Sequence, residues 1–282
     1  MKKVVLMTLA VLISAIVFGQ DAADKINQAN AALQEKDYAK AFALYDEAMK
    51  NIGDVQIEPT INYNIGFAAY KSDNYDGALE YFDIAIENEV NLEKSYEYKA
   101  LVYNKQKDYA NAVANYEKAI AASDDGAESM VFNAAIAAYR GGMLDKAVEL
   151  FGKSVDNGYR GETAIYYKAV SLRKSGDDAA YKATLEEGAN KYPGEDKISS
   201  ALANVYVSEG NELYKKGVAI LNAANQKVQD GSLKTTDDAY TAEVEKAQVQ
   251  FRAALEVLEK AKELDSSNEN AQKLINACSA VL

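Results

Sequence analysis

The 282-residue chain has no histidine and no tryptophan, a single cysteine and two prolines. Without histidine there is no Ser-His-Asp or Cys-His nucleophile, no imidazole general base and no histidine-held zinc. The lone Cys278 can form neither an internal disulfide nor a two-cysteine metal or redox site. So little proline in a chain rich in alanine favours helices joined by short turns. Cations are the minority charge: 31 Lys and Arg stand against 43 Asp and Glu, a formal net charge of −12. A surface of that sign repels phosphates, so no nucleic-acid partner is expected. Tyrosine, by contrast, is plentiful at 20 residues, and 49% of the chain is hydrophobic, enough for a sizeable core in one or two domains.

Lys2 and Lys3 precede an apolar run from Val4 to Phe18, which ends at Gly19, Gln20 and Asp21. The run is shorter than the roughly 20 residues of a spanning helix and has the layout of a secretory signal peptide. Residues 1–19 are therefore expected to be removed, which leaves a more acidic mature chain without a membrane span. The expected location is the periplasm or cell envelope, or outside the cell. Sparse cysteine suits such an oxidising compartment.

Self-similarity runs down the chain. Asp37-Tyr38-Ala39-Lys40-Ala41 and Asp108-Tyr109-Ala110-Asn111-Ala112 nearly coincide, and Asn74–Ala78 and Met143–Ala147 share their pattern. Each continues as a small–aromatic–small triplet: Ala41/Tyr45/Ala48, Ala78/Phe82/Ala85, Ala112/Tyr116/Ala119 and Ala147/Phe151/Ser154. Offsets of four and three put each triplet on one helical stripe, where the small residues admit a neighbouring helix closely. The triplets recur every 37, 34 and 35 residues, against about 34 in a helical-hairpin repeat. Upstream of each, and again at the head of a fifth unit, lies an apolar helical stretch with its own small residue: Ala29, Gly66, Ala100 and Ala135, then Ala169. On these residues the chain resembles the tetratricopeptide-repeat (TPR) family, over residues 20–195 in about five units. The fifth unit departs most, with Tyr181 where the family has alanine.

The resemblance implies an all-α fold, a right-handed α-solenoid of helix-turn-helix repeats. Past Pro193 the period loosens, and residues 196–282 are expected to form a divergent sixth repeat. Residues 198–228 read as one long helix or as two abutting near Gly210. A polar expanded turn follows at 229–240, then a helix marked by Phe251, Ala254, Leu258 and Ala261, then a capping helix. Cys278 in that last helix reads as a small buried hydrophobe.

The resemblance also implies a concave wall made by the first helix of each repeat. Its lining residues here are Asn30; Tyr63, Asn64, Phe67, Tyr70 and Lys71; Lys94, Asn104 and Lys105; Phe132, Asn133, Tyr139 and Arg140; and Tyr166, Arg173 and Lys174. Such a wall holds a peptide or protein segment. Its recurring cations, Lys71, Lys105, Arg140 and Lys174, either attract an acidic or C-terminal segment or cap the carbonyl ends of their own helices. The aromatics are either anchors for a partner or packing residues. Of the five residues of the family's carboxylate clamp, Asn30, Asn64 and Lys94 match, while Ile26 and Tyr98 stand at the other two places.

Nothing else points to chemistry. Ser171–Lys174 matches S-x-x-K and Ser72-Asp73-Asn74 matches S-D-N, but in reversed order, without K-T-G and at helix ends. Asp124-Asp125-Gly126 and Asp177-Asp178 lack the alternating ligands of a calcium loop. The expectation is a non-enzymatic interaction scaffold without cofactor or metal. The alternative is a fixed subunit of an envelope assembly or secretion complex.

Overall fold

The computed structural model describes residues 17–53 and 56–282. The expected leader lies outside them, apart from the first turn of α1. Thirteen helices and no strand occur among the described residues. The chain divides into two compact units, one ending at Tyr159 and the other spanning Arg160–Leu282.

The N-terminal unit consists of four helix pairs: α1 (Val17–Gln34) with α2 (Tyr38–Lys50), α3 (Thr60–Lys71) with α4 (Tyr75–Glu87), α5 (Leu92–Lys105) with α6 (Tyr109–Ala121), and α7 (Glu128–Arg140) with α8 (Leu144–Asp156). Every residue of the four small–aromatic–small triplets is buried. The small residues of the first helices face them and are buried as well. Gly66 shows why: a Cβ there would lie 2.9 Å from the Phe82 ring. Close helix approach, rather than helix propensity, selects the small side chain.

One turn recurs between the paired helices. The residue before each N-cap is left-handed, at Lys36, Asp73, Lys107 and Gly142, with φ between 60° and 74°. The next backbone N–H then reaches back to the helix just ended: Asp37 to Ala32 O, Asn74 to Ala69 O, Asp108 to Tyr103 O and Met143 to Ala138 O, all at 2.9 Å. These bonds satisfy carbonyls that the helix end leaves open. Asp37, Asn74 and Asp108 then cap the second helix, accepting from the N–H three residues on.

The C-terminal unit holds α9 (Gly161–Ser175), α10 (Asp178–Lys191), α11 (Asp196–Gln229), α12 (Asp238–Leu264) and α13 (Glu269–Ser279). The same turn, with Gly176 left-handed and Asp177 as cap, joins α9 to α10. Tyr181, at the divergent position, is buried together with Leu185 and Gly188. Of the two readings left open by the sequence, α11 is a single helix that runs through Gly210. Ala203, Gly210, Gly217 and Ala224 recur at heptad spacing along it and are all buried. A Cβ on Gly210 would lie 2.5 Å from Leu258 Cγ, and one on Gly217 would lie 2.6 Å from the Phe251 ring. The glycines therefore receive the large side chains of α12 and do not interrupt the helix. The polar loop covers 230–237, where Asp237 turns its carboxylate to the Lys234 N–H and leaves the start of α12 without a side-chain cap. Cys278 is fully buried beside Phe251 and Leu258, and burial raises its thiol pKa.

Among the described residues no helix is long and apolar enough to cross a membrane.

Candidate functional site

In the N-terminal unit α3 and α5, first helices of successive pairs, touch one another. Tyr63, Phe67 and Tyr70 follow one another at offsets of four and three, so they share a face of α3. That face meets Tyr98 of α5. The ring centroid of Tyr98 lies 6.3 Å from Tyr63, 5.3 Å from Phe67 and 5.2 Å from Tyr70, and its ring stacks on buried Phe82 at 5.6 Å. Tyr38 of α2 closes edge-on against Phe67 at 5.8 Å. Phe82 is buried, whereas Tyr38, Tyr63, Phe67, Tyr70 and Tyr98 are all half-buried. The result is a continuous aromatic surface with one side packed and the other open.

Charge surrounds this surface unevenly. The Lys71 ammonium stands over the rings of Phe67 and Tyr70, 5.4 and 5.7 Å from their centroids, within cation–π range. Lys94 is engaged by Glu97 at 2.7 Å and Glu93 at 3.2 Å on its own helix. Burial is the main cause that raises the phenol pKa of Tyr63, Tyr70 and Tyr98, the last to about 12, and the Glu97 carboxylate adds to it at all three.

Other residues expected on the wall have internal work. Asn30 Oδ1 accepts from the buried Tyr45 hydroxyl at 2.5 Å, and Asn104 Nδ2 donates to the Tyr116 hydroxyl at 3.2 Å. In both pairs whose second helix carries tyrosine in place of phenylalanine, an asparagine of the first helix satisfies the phenol. Phe132 is buried between Phe151 and Tyr159, each at 6.0 Å, and so belongs to the packing of its pair and not to an open surface. Asn64, Asn133 and Tyr139 are half-buried, while Lys105 and Arg140 are exposed at the last positions of α5 and α7. Of the clamp-like set, Ile26 is fully buried, and Asn30 and Lys94 already have partners.

The C-terminal unit has a separate open cleft of about 1090 Å³ between α9, α10 and α11. Tyr166 and Arg173, both expected lining residues, lie in it; Lys174 is exposed in the last turn of α9 but does not line it. Arg173 stands over the Tyr181 ring at 5.3 Å. The α11 side contributes Lys197, Ser200 and Asn204, and Lys182 is held by both oxygens of Glu209 at 2.8 Å.

The sequence placed Tyr98 only as a mismatch to the clamp and not in the aromatic surface, and it gave no sign of Glu97 there or of the α11 residues of the cleft. For Tyr98 a signal existed: an aromatic stripe on α3 needs a neighbour on the next first helix. For α11 the loosened repeat hid the register.

The serines of the two serine-enzyme-like motifs serve the helices that carry them. Ser171 is buried and donates to Tyr167 O at 2.7 Å. Ser72 donates to the last carbonyls of α3, Asp73 accepts from the Tyr75 hydroxyl, and Asn74 is a helix cap.

No family model matches the chain. A stretch of 60 residues is 35% identical to an NADPH oxidase activator of Dictyostelium discoideum; it covers 21% of this chain and only 10% of that protein. Among solved structures, YrrB, a TPR protein with an unusual peptide-binding site, aligns with a TM-score of 0.50 and 19% identity. That alignment covers 66% of this chain and 97% of YrrB. The C-terminal part of a TPR repeat-containing protein from Cytophaga hutchinsonii also aligns at 0.50, with 14% identity over 89% of this chain and 99% of its own. Successive helix pairs closed on small–aromatic–small stripes, together with these two likenesses, give the chain the all-α fold of tetratricopeptide-repeat proteins.

Proposed function

We propose that this chain is a non-enzymatic interaction scaffold that holds a peptide or protein segment against its first helices. The observation that carries the reading is the open aromatic surface of α3 and α5. Half-buried rings fixed by one another lose little entropy on binding and provide the large contact areas typical of interface anchors. The peptide-binding site of YrrB supports the same use of the fold. Exposed Lys105 and Arg140 support acidic residues elsewhere in the bound segment. The leader pattern supports export to the periplasm or envelope, which N-terminal sequencing of the mature protein would check.

A photocrosslinker placed at Tyr70 on the aromatic surface, and in parallel at exposed Glu80 on α4, tests the reading. Capture of a partner from the Tyr70 position alone is the expected result. Capture that is equal at both, or confined to α4, overturns it. A second reading, a fixed subunit of an envelope assembly, draws on Val249, which is 57% exposed on α12. Constant co-migration with a large complex through Val249→Asp-sensitive contacts would favour that reading.

A further inference from the structure

We infer that the aromatic surface of α3 and α5 is a seat for a cationic side chain, so that the partner segment presents a lysine or arginine there. This rests on the proposed wall-binding reading and names the chemistry of its central subsite. The seat already holds a cation of the protein's own, Lys71, over Phe67 and Tyr70. Among the described residues no carboxylate pairs with Lys71. Nor does the end of α3 require it as a cap. Ala68 and Ala69 accept from Ser72, whose hydroxyl and N–H both reach back, and Tyr70 accepts from the Asp73 N–H at 3.2 Å. The ammonium therefore stands where the faces of the rings attract positive charge, on an exposed and flexible stem.

The surroundings favour the same sign. Glu97 acts on Tyr63, Tyr70 and Tyr98, and Glu93 acts on Tyr63; the two carboxylates share the single cation Lys94, at 2.7 and 3.2 Å, so this group on α5 leaves one net negative charge beside the rings. The whole chain carries −12, so a lysine or arginine of the segment is also attracted from a distance. Phe67 and Tyr70 lie 5.3 and 5.2 Å from Tyr98, their planes turned 73° and 56° from its own, so ring faces are presented at several angles to an incoming cation. Lys71 then acts as an internal stand-in that the partner's lysine or arginine displaces. An extended side chain on α3 can swing away without disturbing the backbone.

The test uses the full chain and a terminally blocked Gly/Ser peptide with three lysines, with its Nε-acetyl-lysine analogue as control, at about 0.15 M salt to screen distant charges. The lysine peptide is expected to bind and the acetylated one not to bind. Tyr70→Leu leaves the net charge unchanged and is expected to weaken binding roughly two- to five-fold. Lys71→Gln empties the seat and is expected to tighten binding about two- to five-fold more than Lys40→Gln, an equal charge change on α2. Both lysine variants change exposed side chains, so folding does not confound that comparison. Unchanged affinity in Tyr70→Leu, or equal shifts in the two lysine variants, overturns the inference by reducing the binding to general electrostatics. If the crosslinker at Tyr70 still captures a partner in that case, wall binding stands and only the cation seat falls. Crosslinking away from α3 removes both.

Discussion

The hydroxyl of Tyr45 donates to Asn30 Oδ1 at 2.5 Å across the α1–α2 pair. The phenol is fully buried and the amide only partly so, which makes the bond asymmetric. Asn30→Ala strands a buried hydroxyl and is expected to cost about 1–3 kcal/mol. Tyr45→Phe leaves an asparagine that water can still reach, and the expected cost is nearer 0.5–1.5 kcal/mol. Urea unfolding of the two variants checks the order.

Alkaline pH is expected to destabilise the N-terminal unit. Burial raises Tyr116 to about 12 from an ordinary phenol value near 10, offset in part by the Asn104 hydrogen bond. The unfolded phenol loses its proton first, so the stability this burial reflects is fully present below pH about 10 and is lost as pH rises toward 12. One such tyrosine corresponds to at most about 2–3 kcal/mol. Loss of helical circular dichroism at a higher pH in Tyr116→Phe, which has no phenol to ionise there, is the expected sign. An alkaline transition at the same pH in wild type and Tyr116→Phe would contradict it.

Gly→Ala substitutions are expected to change sign with position. At Gly152, inside α8, a Cβ meets nothing within 4 Å, so alanine is expected to stabilise by about 0.5–1 kcal/mol through helix propensity. At Gly217 the Cβ would press into the Phe251 ring, and overpacking of about 1–3 kcal/mol outweighs that gain. Thermal unfolding of the two variants decides it, with a lower midpoint expected only for Gly217→Ala.

Lys36 and Lys107 hold left-handed backbone at φ 64° and 62°, a conformation that side chains with a Cβ disfavour. Glycine fits the same turn at Gly142 and Gly176. Lys36→Gly and Lys107→Gly are expected to stabilise by roughly 0.5–1 kcal/mol, the conformational relief exceeding glycine's extra entropy in the unfolded chain. A midpoint in urea no higher than wild type would show that the lysine side chains contribute contacts of their own.

The helix pairs were legible because each rests on a local rule. A small–aromatic–small stripe can bury its face only against a neighbouring helix, and Ala41, Tyr45 and Ala48 are all fully buried as that rule requires. The continuity of α11 through Gly210 was not legible. Glycine reads locally as a helix weakener, while at Gly210 its value is the space it leaves for Leu258, which lies far along the chain. The state of the expected wall residues was not legible: Phe132 is turned inward, Asn30 and Asn104 are taken by buried phenols, and Lys94 by Glu97. Composition could not reveal those pairings, since a hydrogen-bond partner is chosen by distance in space.

The amino-acid sequence by itself determined the repeat, its period, the buried stripe and the helix-ending turns, because all of these depend on neighbours a few residues apart. Only the tertiary structure decided which tyrosines meet. Tyr98 joins Tyr63, Phe67 and Tyr70 because α3 and α5 touch, and Lys71 settles over the rings because their faces are left open there. The excess of tyrosine and the shortage of cations thus acquire a location, since long-range packing, not local pattern, assembles a charged aromatic surface.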